Sequence, residues 1–255
     1  MSTEIEARQR VARAAQATEH GRPDDAIAEL QAAATLFIDA GKPADASHCL
    51  AQAGTVARLA GDVVRSIELL EDAVELAGKD SGLARSALLE LVETSLLVED
   101  HQRALGYLEL ALPYMADASR ELRVAVTMKS AESLLAVGEL YGAEAAWKQA
   151  LSLAETEGET AQLLLRRATL LVAAGADIAP GAVLRLKGVV AEFGDAAMSA
   201  DIAMLESALA LADGDPATAR QGLRTARARA IEAGARSKAL AAAVAEARIA
   251  EEAGD

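Results

Sequence analysis

The 255-residue sequence contains no asparagine and one cysteine, and only 2% of its residues are aromatic. A single cysteine cannot form an intramolecular disulfide, and it leaves a cysteine-based metal site without further ligands. Strands depend on aromatic and β-branched side chains, so the scarcity of both disfavours a β fold. Alanine, leucine, glutamate and arginine, which favour helices, are abundant instead. Composition alone therefore predicts an all-α fold.

Positive charge is scarce as well, and the formal net charge is −14. Nucleic-acid binders need a basic surface that displaces counterions from phosphates, so this charge argues against nucleic acid as a partner. Residues 220–238 are an exception, with six basic residues and one acid, and a basic patch shares one helix face there: Arg220, Arg224 and Arg227. Residues 62–117 are acidic. Opposite charge at the two regions is compatible with a homo-oligomer joined through the acidic middle and the basic C-terminal end, or with an acidic partner at the basic end. The alternative is that these charges form solvated outer faces.

Long apolar runs are missing too. The most apolar stretch, 168–186, is interrupted by Asp177, Pro180 and Arg185, so it is too short for a bilayer core of about 30 Å. The first 16 residues are charged and lack the apolar core of a signal peptide. We therefore expect a cytoplasmic protein with no membrane association, and the alanine-rich composition indicates a bacterial source.

A repeat of two helices runs along the whole chain. A small residue recurs at intervals of 40, 38, 39, 39 and 37 positions, and four times it follows a turn glycine by five residues. These residues define position 0 of each repeat: Ala26, Ser66, Ala104, Ala143, Ala182 and Ala219. Position +4 is large and apolar: Leu30, Leu70, Leu108, Trp147, Leu186 and Leu223. Position +7 is small again: Ala33, Ala73, Ala111, Ala150, Val189 and Ala226. Offsets of four and seven share one helix face, and a helix pair buries that face only by stacking on its neighbours.

This small–large–small pattern resembles the tetratricopeptide repeat, in the long variety of about 40 residues seen in kinesin light chains and in sensor regions of bacterial regulators. The resemblance implies a right-handed α-solenoid of about six antiparallel helix pairs plus a C-terminal capping helix. We expect one domain over 1–255, with the capping helix at 236–253. The expected pairs are 4–40, 43–78, 81–116, 119–157, 159–193 and 195–234.

The resemblance also implies a concave groove lined by the first helix of each pair, with a protein or peptide as its partner. Carrying the groove positions of the family onto these repeats gives nine candidate binding residues: His48, Arg58, Ser86, Glu93, Met128, Glu132, Arg167, Asp201 and Met204. The same register adds further positions on each first helix, among them Ala51, Thr55 and Leu59 in the second pair. The alternative is that longer helices bury these positions in the core. Without asparagine, the chain lacks the Lys/Asn clamp with which some members of the family hold a C-terminal carboxylate.

Catalytic signatures are weak. His48 and Cys49 are adjacent on a predicted helix, so their side chains point about 100° apart and do not converge as a dyad. The sequence has no glycine-rich phosphate loop and no zinc-ligand spacing. We predict no enzymatic activity, no cofactor and no metal site. The leading hypothesis is a scaffold or adaptor that binds a protein or peptide in the groove. The alternative is a regulatory sensor that binds a small molecule or signalling peptide and acts on a separate effector chain.

Overall fold

The computed structural model of the chain describes residues 3–78, 80–175, 180–193 and 196–253. Within these ranges it contains thirteen α-helices, one short 3₁₀ helix and no strand. The prediction of an all-α fold is confirmed. The chain divides into two compact units, 1–139 and 140–255.

The first unit contains seven of the helices. They are α1 (Thr3–Glu19), α2 (Pro23–Asp39), α3 (Pro43–Leu59), α4 (Val63–Ala77), α5 (Ser81–Leu97), α6 (His101–Ala111) and α7 (Arg120–Ala136), with a 3₁₀ turn at Leu112–Tyr114. Connections of three residues join the helices from α1 to α6, so these neighbours run antiparallel. Each helix packs on the next, and α3 also packs on α5, the first helix of the following pair. This nearest-neighbour stacking of helix pairs is the arrangement of an α-solenoid.

The second unit continues with six helices. They are α8 (Leu140–Ser152), α9 (Glu157–Ala173), α10 (Pro180–Phe193), α11 (Ala196–Ala212), α12 (Pro216–Glu232) and α13 (Arg236–Ala253). Consecutive helices again pack together, and the first helices of successive pairs also touch, α9 with α11 and α11 with α13. The predicted fourth pair thus supplies α7 to the first unit and α8 to the second, and the expected single domain stays a prediction.

The repeat pattern forms the buried seam of each pair. Every position 0 and position +7 side chain that the structure describes is 0% exposed, and the large residue at +4 is at most 7% exposed; Ala182 and Val189 lie outside the described side chains. The helices of a pair also approach closely at this seam, where Gly54 of α3 faces Leu70. A Cβ added to Gly54 of α3 would lie 2.6 Å from Cγ of Leu70, so only glycine fits there without a shift of its neighbour.

Local signals place the helix ends. Gly61 follows α3 with φ +84°, and Glu99 takes the corresponding left-handed turn with φ +56° in the third repeat, where the glycine is missing. Asp62, Asp100 and Asp215 cap α4, α6 and α12, because each carboxylate accepts a hydrogen bond from a backbone N–H of the first turn. These caps explain where α4, α6 and α12 begin.

Candidate binding surfaces

All nine predicted binding residues lie on the first helix of a pair, which is α3, α5, α7, α9 or α11. Two of them are exposed: His48 and Ser86. Six are partly exposed: Arg58, Glu93, Glu132, Arg167, Asp201 and Met204. The ninth, Met128, is buried. The nine residues therefore all lie on first helices, but their side chains range from exposed to buried.

Met128 does not line an open groove, because its side chain is only 2% exposed. Val126, Thr127 and Ala131 beside it are buried as well, so α7 turns this part of its surface into the core. A long, flexible thioether fills such an interior space readily. Met128 is therefore a core residue, which was the alternative to a place in the groove.

In the first unit the charged groove residues join neighbouring first helices. Arg58 of α3 forms an ion pair with Glu90 of α5 at 3.0 Å, and Glu93 of α5 forms one with Lys129 of α7 at 2.8 Å. Such solvent-facing pairs each contribute about 0.2–1 kcal/mol. These charges therefore have a structural role between repeats, and a partner that used them would have to displace those pairs.

The second unit shows the same behaviour. The Nη2 of Arg167 on α9 lies 2.8 Å from a carboxylate oxygen of Glu144 on α8, and its guanidinium lies over the ring of Trp147, 5.5 Å from the centroid. Asp201 of α11 pairs with Lys238 of α13. These predicted binding residues are thus also engaged with neighbouring helices.

A cleft of about 480 Å³ opens between α1 and α3 over α2. It combines apolar and polar side chains: Val11, Ala14, Ala15, Thr18, Glu19, Leu30, Gln52, Thr55 and Val56. Of these, the sequence-derived groove contained only Thr55. Four of the five α1 residues were missed because the groove register was not applied to the first pair. Counted from Ala26, that register gives Arg8, Val11, Ala15, Thr18 and Glu19, and all of these except Arg8 line the cleft.

The polar rim of this cleft consists of hydrogen-bond acceptors. The hydroxyls of Thr18 and Thr55 each donate to the carbonyl four residues earlier at 3.0 Å, so their oxygens keep lone pairs for another donor. The amide nitrogen of Gln52 lies 3.1 Å from Nε2 of His48, which leaves the amide oxygen as an acceptor, and Glu19 adds an exposed carboxylate. The cleft can therefore hold an apolar group flanked by N–H donors.

A second cleft, of about 780 Å³, lies between α10 and α12 over α11. Val183, Leu209 and Ala210 give it apolar walls, and the ion pair between Lys187 and Glu206 lies along it. Its α12 side includes Thr218, Gln221, Gly222 and Thr225. The volume is in the range of small-molecule sites. The groove prediction did not include this cleft, because it lies between the second helices of two pairs.

No protein-family model matches the sequence, and no curated protein matches it. Among solved structures, a Rap protein complexed with competence and sporulation factor is similar at 15% identity and a TM-score of 0.49, over 99% of this chain and 77% of that one. The TPR domain of P58(IPK) is similar at 14% identity and a TM-score of 0.36, over 98% of this chain and 67% of that one. Neither likeness bears on what this chain binds. The stacked helix pairs and their buried small–large–small seam decide the fold. The chain is an all-α repeat protein built from stacked antiparallel helix pairs.

The basic patch of this repeat protein lies on α12, where an acid from the next helix meets it. Arg224 and Arg227 contact the carboxylate of Glu246 on α13 at 2.6 and 3.2 Å. The hydrogen bond from Arg224, with the nearby charges of Arg227 and Arg220, lowers the pKa of Glu246. The patch is thus partly neutralised within the chain. The acidic face of α4 is exposed: Glu68, Glu71, Asp72 and Glu75. Head-to-tail association between the two faces stays a prediction.

The single cysteine is buried. The Cys49 side chain is 2% exposed, and burial raises the pKa of its thiol to about 11, so it is protonated and inert near neutral pH. His48 points to solvent beside it.

Across the described ranges, no group of three or more His, Cys, Asp or Glu residues is arranged to hold a metal ion. None of the helices described here is long and apolar enough to cross a membrane.

Proposed function

We propose that this chain is a scaffold that binds a protein or peptide segment in the cleft between α1 and α3. The observation that carries the proposal is the chemistry of that cleft, which has apolar walls from Val11, Leu30 and Val56 and a rim of acceptors. An apolar side chain of the partner would fill the cleft, and N–H groups on either side of it would donate to the rim. No catalytic step is part of this role.

Charge narrows the chemistry of the partner. Glu19 is the charged residue among those lining the cleft, and residues 1–139 contain 23 Asp and Glu against 13 Lys and Arg. A negative surface steers cationic partners toward it. We therefore expect a segment with an apolar anchor next to lysine or arginine. The cytoplasmic location, the bacterial source and the exclusion of nucleic acid stay predictions.

Selection from a random peptide display library on the full chain tests the proposal. We expect enriched peptides to contain a large apolar residue beside a basic one, and to lose binding to Ala15→Trp, since the indole would occupy the cleft. Ala12→Trp is the matched control, because Ala12 is an exposed alanine on the same helix outside the cleft lining. Glu19→Gln should reduce the preference for basic residues. Peptides that bind the wild type, Ala15→Trp and Ala12→Trp equally would refute the assignment.

A second candidate function is a sensor that binds a small molecule in the cleft between α10 and α12. The observation that favours it is a volume of about 780 Å³ lined by both apolar and polar side chains. A ligand bound only by the folded chain would raise the melting temperature, so a metabolite library screened by thermal shift tests it. The shift should vanish in Gln221→Trp, which fills the cleft, and persist in Ala228→Trp on the exposed surface of the same helix. A shift that survives both changes would place the ligand elsewhere.

A further inference from the structure

The outward face of α13 carries a row of five exposed residues. Their spacing of four, four, three and four places them on one side of the helix: Arg236, Leu240, Val244, Ala247 and Glu251. Leu240 is 67% exposed and Val244 is 60% exposed, whereas Ala242 and Ile249 on the opposite side are buried in a cluster with residues of α11 and α12. The outward face of this helix is therefore an apolar stripe with a cation at its start and an anion at its end.

The two end charges are placed against the dipole of their own helix. A helix N-terminus favours acidic side chains and a C-terminus favours basic ones, yet α13 has no acid in its first turn and no base in its last. An antiparallel helix alongside would reverse this, because its C-terminus would lie beside Arg236 and its N-terminus beside Glu251. Inside the chain, α12 already provides an antiparallel helix on the inner side of α13. On the outward face, the same two charges favour an antiparallel over a parallel orientation for any helix that docks there.

We propose that α13 pairs antiparallel with α13 of a second copy of this chain, related by a two-fold axis between positions 243 and 244. That axis brings Arg236 opposite the partner's Glu251, Leu240 opposite the partner's Ala247, and both Val244 side chains next to the axis. A two-fold interface requires a patch that is complementary to itself, and this row is, since the axis exchanges its two charges. A parallel pair would instead place Arg236 against Arg236.

The contact differs from the head-to-tail association predicted from the acidic and basic regions. It is closed, so it yields dimers and not open chains. It is also small, because one helix face on each side buries less than a standard interface. The dimer should therefore dissociate on dilution and be more stable at low ionic strength, where the two Arg–Glu pairs are less screened.

Sedimentation equilibrium of the full chain over a range of concentrations tests the contribution of the apolar side chains to the dimer. We expect a monomer–dimer equilibrium that Leu240→Gln weakens about tenfold or more, since both copies lose a buried leucine. Leu240 is exposed in the single chain, so the variant should keep its helical circular dichroism. Val64→Gln, at an equally exposed position on α4, is the matched control and should dimerise like the wild type.

Charge exchange tests the orientation. Arg236→Glu and Glu251→Arg should each weaken the dimer, because each places like charges opposite one another in both copies. The double variant should recover the wild-type dimer, since the pairs re-form with reversed sign. A chain that sediments as a monomer at every concentration, or a double variant no better than the single ones, would overturn the proposal. Open-ended oligomers that depend on Arg224 and Arg227 would overturn it as well, in favour of the head-to-tail contact.

Discussion

In the first unit, two side chains connect the second helices of neighbouring pairs. Arg65 of α4 reaches α2, with its guanidinium 3.1 Å from the amide oxygen of Gln31 and 3.4 Å from Asp24. Tyr107 of α6 reaches back to α4, where its hydroxyl donates to Glu71 at 2.7 Å. Arg65 is at position −1 of its repeat and Tyr107 at position +3.

The second unit has Thr218 and Gly222 at these two positions on α12, and Lys187 of α10 replaces Glu71 at position +5. Neither residue of α12 has a side chain long enough to span the edge, and the cleft of about 780 Å³ lies there. Gly222 is itself constrained, because an added Cβ would overlap Oγ of Ser207. Positions 0, +4 and +7 thus fix how a pair packs, whereas positions −1 and +3 decide whether the groove between pairs is bridged or open.

The largest expected effect comes from the residue at position +4, compared across the two units. Leu70 is 0% exposed, and Leu70→Ala should cost about 3–5 kcal/mol, because the tightly packed surroundings cannot collapse into the cavity. Leu186 is 7% exposed and its surroundings are more open, so Leu186→Ala should lower the stability by only about 2 kcal/mol. Denaturant titration separates the units, since alkylation of Cys49 reports the first and fluorescence of Trp147 the second. Equal losses of stability for the two substitutions would mean that Leu70 and Leu186 are packed equally tightly.

Replacing a glycine with alanine should lower the stability at one site in the first unit and raise it at one site in the second. A Cβ at Gly54 would lie 2.6 Å from Leu70 and 3.2 Å from the carbonyl oxygen of Ser66, so Gly54→Ala should destabilise the chain by about 1–3 kcal/mol. Gly188 of α10 is exposed, and an added Cβ meets nothing within 4 Å. There the same change should stabilise by about 0.5–1 kcal/mol through helix propensity. The midpoints of circular dichroism denaturation curves measure both, and a destabilised Gly188→Ala would contradict the open space at α10.

The difference between the units also marks what sequence could predict. The seam is visible in the sequence as small–large–small spacing, so the all-α fold of stacked helix pairs could be predicted from it. Burial of Met128 and the uncovered Leu240 depend on which neighbours pack against each helix, and periodicity alone does not tell an outward face from an inward one. The clefts depend on how far individual side chains reach between repeats, a distance that only the assembled helices define.

A smaller effect should come from removing the bridge at Tyr107. Burial, followed by the hydrogen bond to Glu71, raises the pKa of Tyr107 to about 12. The fold therefore favours the neutral phenol, and this contribution to stability is complete below about pH 10 and lost as pH rises toward 12. Tyr107→Phe should cost about 1 kcal/mol at neutral pH.

Ultraviolet titration of tyrosinate and denaturation at several pH values check this prediction. The wild type should lose stability between about pH 10 and 12, whereas Tyr107→Phe should lack that component. Tyr141→Phe is the control, since Tyr141 is 94% exposed and should alter neither profile. A tyrosinate titration unchanged by Tyr107→Phe in the alkaline range would show that the bridge does not hold the phenol neutral.

The smallest effect is expected where one carboxylate joins two arginines, an arrangement that both units contain. Glu29 of α2 contacts Arg10 and Arg13, each at 3.2 Å, and Glu246 of α13 contacts Arg224 and Arg227. The side chain of Glu246 is 14% exposed and that of Glu29 is 28% exposed, so solvent screens the pairs of Glu29 more.

Glu246→Gln should therefore cost more than Glu29→Gln, though still less than about 1 kcal/mol at neutral pH. Because its arginine contacts lower the pKa of Glu246, its contribution is present above the unfolded value of about 4.3 and is lost as pH falls through the lowered folded value. Stability measured from neutral pH into that acid range should thus converge for wild type and Glu246→Gln. A gap that stays constant with pH would mean that the glutamine disturbs packing between α12 and α13, and that the charge of Glu246 is not what stabilises the contact.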